Sequence, residues 1–221
     1  MNFLEQIISL DKEIFLFFNG QYSSWGDCFW WNFTHLKTWI PALVILVIYT
    51  INKLRKDGIF VFFSIILTIL LADQIASGIL KPLVERLRPT HDPTIKNLVH
   101  IVNNYRGGLY GFVSSHASNT FGLATLFCLL FKHRFFRFTI ISWATLTAYS
   151  RIYLGVHFPL DILCGAIVGI ISAMISYFLL KRFRPQVFCY DQSESNQYLK
   201  YINLNVVSFS FFIIGTIIAL M

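Results

Sequence analysis

Charge is scarce in this chain. Of its 221 residues only 13% are Asp, Glu, Lys or Arg, against about 25% in an ordinary soluble domain. Hydrophobic residues make up 56% and the mean hydropathy is +0.61. So little polar surface cannot coat a globule of 25.6 kDa, and the composition excludes disordered, coiled-coil and collagen-like chains as well. Cysteine is sparse too: Cys28, Cys128, Cys164 and Cys189 lie far apart with no CxxC pair, and two sit in apolar stretches. No disulfide or zinc framework is implied. There is no internal repeat, no low-complexity tract and no carboxylate cluster suited to magnesium. The opening residues, MNFLEQIISLDKEIF, lack the basic region and small-residue cleavage site of a secretory signal, so the N-terminus is expected to be retained.

Long apolar runs are what the chain does have. Five approach the length of about 20 residues that crosses a bilayer: Gly58 to Leu80, Tyr110 to Phe131, Phe138 to Leu154, Phe158 to Leu180 and Ile202 to Met221. A sixth, Leu36 to Asn52, carries Pro41 near its start and is followed by Lys53, Arg55 and Lys56, which can snorkel to an interface. Upstream, apolar residues from Phe3 to Phe18 alternate with Glu5, Gln6, Asp11, Lys12 and Glu13, and Trp25, Phe29, Trp30 and Trp31 follow. That patterning suits a helix lying in the headgroup layer. The expected fold is therefore all-α: a polytopic membrane protein with six transmembrane helices plus an N-terminal interfacial amphipathic helix. It forms a single domain over 1–221, with an interfacial segment at 1–35, a five-helix core at 36–180 and an additional C-terminal helix at 202–221. Lys181 to Lys200, with Pro185, Asp191, Ser193, Glu194 and Ser195, reads as the linker between the last two spans.

Basic residues sort the loops, because Lys and Arg accumulate on the cytoplasmic side of short connections. Lys53, Arg55 and Lys56 mark one loop, Lys132, Arg134 and Arg137 a second, and Lys181, Arg182, Arg184 and Lys200 a third. With six spans all three are cytoplasmic only if both termini, the Lys81 to Leu109 segment and the Arg151 to His157 turn face the other side. Yet the Lys81 to Leu109 segment holds Lys81, Arg86, Arg88, Lys96 and Arg106. Cations kept on the translocated side point to chemistry.

Ionisable residues concentrate in three segments at span ends. In Lys81-Pro-Leu-Val-Glu-Arg-Leu-Arg88-Pro89, seven residues, about two helical turns, separate two cations, which predicts that both project from one helix face before Pro89 stops it. Alone, that pattern equally describes a basic helix end among headgroups. Val113-Ser114-Ser115-His116 opens an apolar helix, where free N–H groups can hold an anion and His116 can move a proton. A Ser-rich cap would explain the serines but not the histidine. In Ser150-Arg151-Ile-Tyr-Leu-Gly-Val-His157-Phe-Pro-Leu-Asp161, Pro159 favours a helix start, so the Asp161 carboxylate can reach back to one nitrogen of His157 and leave the other free as a nucleophile. A structural His-Asp hydrogen bond is the alternative.

Together, K-x6-R-P, then SxH at a helix start, then S-R-x5-H-x3-D resembles the type 2 phosphatidic acid phosphatase superfamily of lipid phosphatases. The likeness covers Lys81 to Asp161 in motif and most of the chain in span layout. It implies that Lys81, Arg88 and Arg151 bind phosphoryl oxygens, with Ser114 and the backbone around Ser115 donating further hydrogen bonds. By the same likeness His157 attacks phosphorus, Asp161 orients it and His116 protonates the leaving group. Water then hydrolyses the phosphohistidine. Three cations offset the charge on the equatorial oxygens, so neither metal nor other cofactor is required. Where the family usually has Pro-Ser-Gly-His, this chain has Val113 and Ser115 at the Pro and Gly positions. If the glycine serves a positive φ or close approach to phosphate, Ser115 has a cost.

The resemblance implies a lipid phosphate as substrate (undecaprenyl diphosphate, lipid A, phosphatidylglycerophosphate or phosphatidate), hydrolysed at the outer face of a bacterial cytoplasmic membrane, with the bilayer and no nucleic acid as partner. The long Thr90 to Tyr110 loop could cap a bulky glycolipid headgroup, which favours lipid A. A non-catalytic phosphate-lipid binding or transport protein is the competing class, without the repeat symmetry transporters often show. Asp73, in mid-span, is expected to pair with a neighbouring helix. His91, His100, Tyr105 and Arg106 either read the headgroup or are solvated loop residues, and His35 and His133 are expected to titrate without a role.

Overall fold

The computed structural model describes residues 2–188 and 197–220. Cys189 and the linker residues Asp191, Ser193, Glu194 and Ser195 lie outside the described residues. Among those described the architecture is all helical, with an isolated bridge between Leu87 and Tyr110 and no strand. The order is α1 (Phe3–Asn19), α2 (Ser24–Thr34), α3 (Leu36–Leu54), α4 (Gly58–Asp73), a π-helical stretch (Gln74–Leu80) and α5 (Lys81–Val84). After a long loop come α6 (Ser115–Leu130), α7 (Arg134–Tyr153), α8 (Pro159–Phe183) and α9 (Gln197–Leu220).

Among the described residues three helices are long and apolar enough to cross a membrane: Leu36–Leu54, Gly58–Val84, which joins α4 to α5, and Pro159–Phe183. Their outer faces carry exposed Ile40, Val44, Ile48, Phe63, Leu70, Ile167, Ile171 and Phe178. Apolar side chains on the outside as well as the inside match a hydrocarbon solvent rather than water. Lys53, Lys132 and Lys181, one from each basic loop, line a single cavity, so the three loops share one end of the molecule.

Helix starts follow local chemistry. Asn2 and Glu5 close a reciprocal capping box on α1, Ser114 caps α6 through the Ala117 N–H, and Pro159 opens α8. Phe127, Phe136, Leu46, Val61 and Phe211 are fully buried between helices. Helix α6 lies against α4, α7 and α8, and its contact with α8 is set by small residues. A Cβ on Gly169 would fall 2.1 Å from the Ser118 carbonyl oxygen and 2.7 Å from the Gly122 nitrogen, and one on Gly165 would fall 2.5 Å from the Ser114 carbonyl oxygen. Backbones can approach this closely only where side chains are absent. The consequence is positional: the start of α6, with its serines, is held against the start of α8, with Asp161.

The N-terminal helices cover the other end. Asp11, Phe15 and Asn19 recur every four residues along α1 and are its buried face. Asn19 donates to the carbonyls of Ile152, Tyr153 and His100 and accepts from the His100 N–H, so it ties the α5–α6 loop to the end of α7. His100 also bonds Asp27 at 2.8 Å and stacks on Tyr22, which makes it a loop anchor.

The first cationic segment folds differently from its helical spacing. The helix stops at Val84, with Glu85 at φ 50°, and Arg88 lies in extended backbone bonded to Leu109 at 3.1 Å, while Arg86 accepts from Gly111 at 2.8 Å. Pro89 disfavours helical dihedrals at Arg88, and Arg86 is drawn to two buried carboxylates. Lys81 and Arg88 therefore reach the same region from different elements. Asp73 accepts from Ser77 of its own helical run, at 3.2 Å, rather than from a neighbouring helix.

Gly169→Ala is expected to force α6 and α8 apart at a cost of about 3 kcal/mol, the upper part of the usual overpacking range. Thermal melts in detergent would show a clear drop in Tm, whereas Gly108→Ala, with open space around its Cβ, should melt like the parent.

Candidate active site

The residues singled out from sequence converge where α5, α6, α7 and α8 meet the α5–α6 loop. Lys81, in the final helical turn, donates to Ser115 and, at 3.3 Å, to Ser77, whose hydroxyl lies 2.7 Å from that of Ser115. Ser115 thus has a definite role as a hydroxyl partner for Lys81, one a glycine could not supply. Ser114 is fully buried and its N–H donates to the Asp161 carbonyl at 2.9 Å, which joins the start of α6 to the first turn of α8.

Arg88 holds the centre. Its Nη1 lies 3.2 Å from His157 Nε2 and donates to the Val156 carbonyl at 3.2 Å, and its Nε donates to Tyr110 at 3.1 Å. Gly107, at φ +69°, makes room: a Cβ there would stand 2.8 Å from Arg88 Nη1. Because Nε2 faces a guanidinium that can only donate, it acts as acceptor, and the neutral ring carries its proton on Nδ1. His157 lies in the turn between α7 and α8 and is buried. Burial first, then the cations of Arg88, Arg151 and Lys81, hold its pKa well below the ordinary histidine range.

Asp161 is oriented less simply than its four-residue spacing from His157 suggests. Its Oδ2 lies 3.5 Å from His157 Nδ1, within ion-pair range, but Nδ1 makes no hydrogen bond. Instead Oδ2 accepts the Phe158 N–H at 2.9 Å and Oδ1 accepts Arg86 Nη1 at 2.9 Å. Arg86 Nη2 donates at 2.6 Å to Asp11, whose second oxygen accepts the Leu160 N–H at 2.9 Å. The guanidinium also lies 4.2 Å from the centre of the Phe158 ring. One arginine therefore bridges two buried carboxylates, each of which receives an N–H from the opening of α8. This clamp fixes the turn that carries His157. Asp11 and Arg86 were not assigned from sequence. The only sign of Arg86 was its cation on the translocated side, and nothing local tied Asp11 to a helix about 150 residues on.

Arg151 is 3% exposed, and its Nη1 donates to Thr34 at 2.8 Å and Nη2 to Tyr105 at 3.4 Å, while Nε has no partner. Arg151 and the exposed His116 share a cavity of about 190 Å³ with Trp31, Thr34, Tyr105 and Leu154. Among the described residues no group of three or more His, Cys, Asp or Glu side chains is placed to hold a metal ion.

A membrane-type helical bundle with a cationic pocket built around two histidines is the class that fold and site define. The chain belongs to the PAP2 superfamily, whose family model matches residues 58–185. It is 41% identical over 186 residues to a lipid A 4'-phosphatase of Bacteroides thetaiotaomicron, covering 83% of each chain. A lipid A 4'-phosphatase of Porphyromonas gingivalis is 36% identical over 175 residues, covering 79% of this chain and 74% of that one. The crystal structure of Aquifex aeolicus LpxE superposes with a TM-score of 0.61 at 27% identity, covering 76% of this chain and 94% of that chain.

Asp11→Ala should cost about 3 kcal/mol, the low end for breaking a buried ion pair because Arg86 keeps Asp161. Asp11→Asn, which can still accept the Leu160 N–H, should cost less. Tm values of both variants, set beside Glu13→Ala on the exposed face of α1, check this ordering.

Proposed function

We propose that this chain removes a phosphate from a membrane glycolipid of the lipid A type through a phosphohistidine on His157, at the outer face of a bacterial cytoplasmic membrane. That it is a hydrolase of phosphate esters acting on lipids follows from its membership in the PAP2 superfamily and its lipid A 4'-phosphatase relatives. The observation that carries the mechanism is the convergence of Arg88 on His157 Nε2, 3.2 Å away, with Lys81 and Arg151 near enough to act on the same ring and His116 beside Arg151 in one cavity.

The incoming phosphate takes the Arg88 donor and frees the Nε2 lone pair. Nε2 attacks phosphorus, the bond from phosphorus to the ester oxygen breaks, and that oxygen leaves with the electron pair and a proton from His116. Lys81, Arg88 and Arg151 hold the equatorial oxygens, where charge builds up, and Ser114 and Ser115 complete the cradle. Asp161, held by Arg86 and the α8 N-terminus, stabilises the imidazolium side of the ring. Water, deprotonated by His116, then attacks phosphorus, the bond to Nε2 breaks, and inorganic phosphate departs.

In the membrane, α3, the α4–α5 run, α6, α7, α8 and α9 form six spans of one domain, and α1 lies along the interface at the catalytic end. The gathering of Lys53, Lys132 and Lys181 at the opposite end supports this orientation through the cytoplasmic bias of basic loops. The tails remain beside the apolar helix faces while the phosphate enters the pocket.

His157→Ala should abolish phosphate release from a lipid A phosphate in detergent, and vanadate should inhibit the parent while EDTA does not. Inhibition by EDTA that magnesium reverses would overturn the metal-independent mechanism. Because a lowered pKa keeps His157 neutral as pH falls, the acid limb of kcat/KM belonging to the nucleophile should lie below pH 6.5, the ordinary histidine value. Arg88→Gln removes a cation and should move that limb upward. Profiles that coincide would separate Arg88 from the nucleophile.

A further inference from the structure

Positive charge is in excess around His157. Arg88, Arg151 and Lys81 all act on the buried ring, and α8, whose N-terminus is the positive end of its dipole, opens two residues further on. Asp161 brings a carboxylate within ion-pair range, 3.5 Å from Nδ1, but its Oδ1 is bound to Arg86 at 2.9 Å. An Arg86–Asp161 pair by itself carries no net charge. It would do little for the cation that forms when Nε2 gives its lone pair to phosphorus, the ester oxygen departs and Nδ1 keeps its proton.

Asp11 changes that count. It holds the other terminal nitrogen of Arg86, Nη2, at 2.6 Å, so the cluster has two carboxylates against one guanidinium. Both carboxylates are ionised, because each turns both oxygens to N–H donors: Arg86 and Leu160 for Asp11, Arg86 and Phe158 for Asp161. A proton on any of these oxygens would face a donor. Burial raises the pKa of Asp11 above the ordinary carboxylate value, against the pull of Arg86 and the Leu160 N–H, so those donors rather than water hold its charge. We infer that Asp11 is a positioning residue for the reaction: by sharing Arg86 it leaves one net negative charge behind His157, and that charge stabilises the phosphorylated, cationic ring. This role rests on the phosphohistidine mechanism proposed above, and it gives α1 a part in the chemistry, although α1 precedes residues 58–185 that the family model matches. Asp11 need not touch the ring, because charges among buried groups are little screened.

Asp11→Asn keeps the size of the side chain and an acceptor for the Leu160 N–H but removes the charge. In phosphate release from a lipid A phosphate in detergent, kcat should fall about tenfold with KM little changed, the signature of an interaction made in the transition state alone. Inhibition by vanadate, which mimics five-coordinate phosphorus on the nucleophile, should weaken by a factor close to that in kcat. Inorganic phosphate, which only fills the cradle, should inhibit as before. Adding Arg86→Gln to Asp11→Asn restores one net negative charge, and kcat should recover several-fold over the single variant, whereas a purely structural clamp predicts a further loss. Three results would overturn the role of Asp11: an unmoved kcat in Asp11→Asn, equal weakening of vanadate and phosphate, or a double variant slower than the single one. Absence of both turnover and vanadate inhibition in the unsubstituted protein would instead overturn the phosphohistidine mechanism.

Discussion

Arg86 stands between two carboxylates that water scarcely reaches, Asp11 and Asp161, and the end that carries the candidate site is arranged around that contact. Two buried negative charges side by side would repel, and a lone guanidinium in such a place would be costly to desolvate. Together, with the N–H groups of Phe158 and Leu160 supplying further bonds, each charge is met. The start of α8 cannot move without breaking several of these bonds. His157, in the turn just before it, inherits that rigidity, and Arg88 then reaches Nε2 from a loop that Asn19 ties to the end of α7.

The same contact explains why the first cationic segment abandons its helix. Seven residues on an α-helix would place Lys81 and Arg88 on one face, yet the chain turns at Glu85 and runs extended. Local propensity at a proline boundary is worth little beside a buried ion pair, so the tertiary demand of Arg86 prevails. Lys81 then approaches the pocket from the helix, Arg88 from the loop and Arg151 from the end of α7. Cations arriving from three directions surround a tetrahedral anion better than a single basic face would.

Holding these elements together is a seam of small residues. Gly165 and Gly169 let α8 meet the backbone of α6 at Ser114, Ser118 and Gly122, where a methyl group would collide with main-chain atoms. In lipid there is little hydrophobic gain from bringing helices together, so close contact and interhelical hydrogen bonds such as Ser64 to Ser176 and Ser118 to Ala72 take its place. Fold and candidate site share this seam, because Gly165 and Gly169 lie one and two turns after Asp161.

By itself the sequence determined the helical class, the position of the apolar runs within about five residues, and the cations and histidines from which a candidate site is built. These follow from hydrophobic run length, from proline and serine at helix starts, and from charges that a membrane protein has reason to shed unless they are used. Only the tertiary structure decided who bonds to whom. Asp161 is held by Arg86 and the Phe158 N–H more than by His157, Asp73 turns to its own helix, Ser115 serves Lys81, and Asp11, Thr34 and Tyr105 join the site from segments that looked interfacial or solvated. Such partnerships are set by distance across the bundle, up to 150 residues along the chain, and periodicity in a sequence carries no information about which face of one helix meets which face of another.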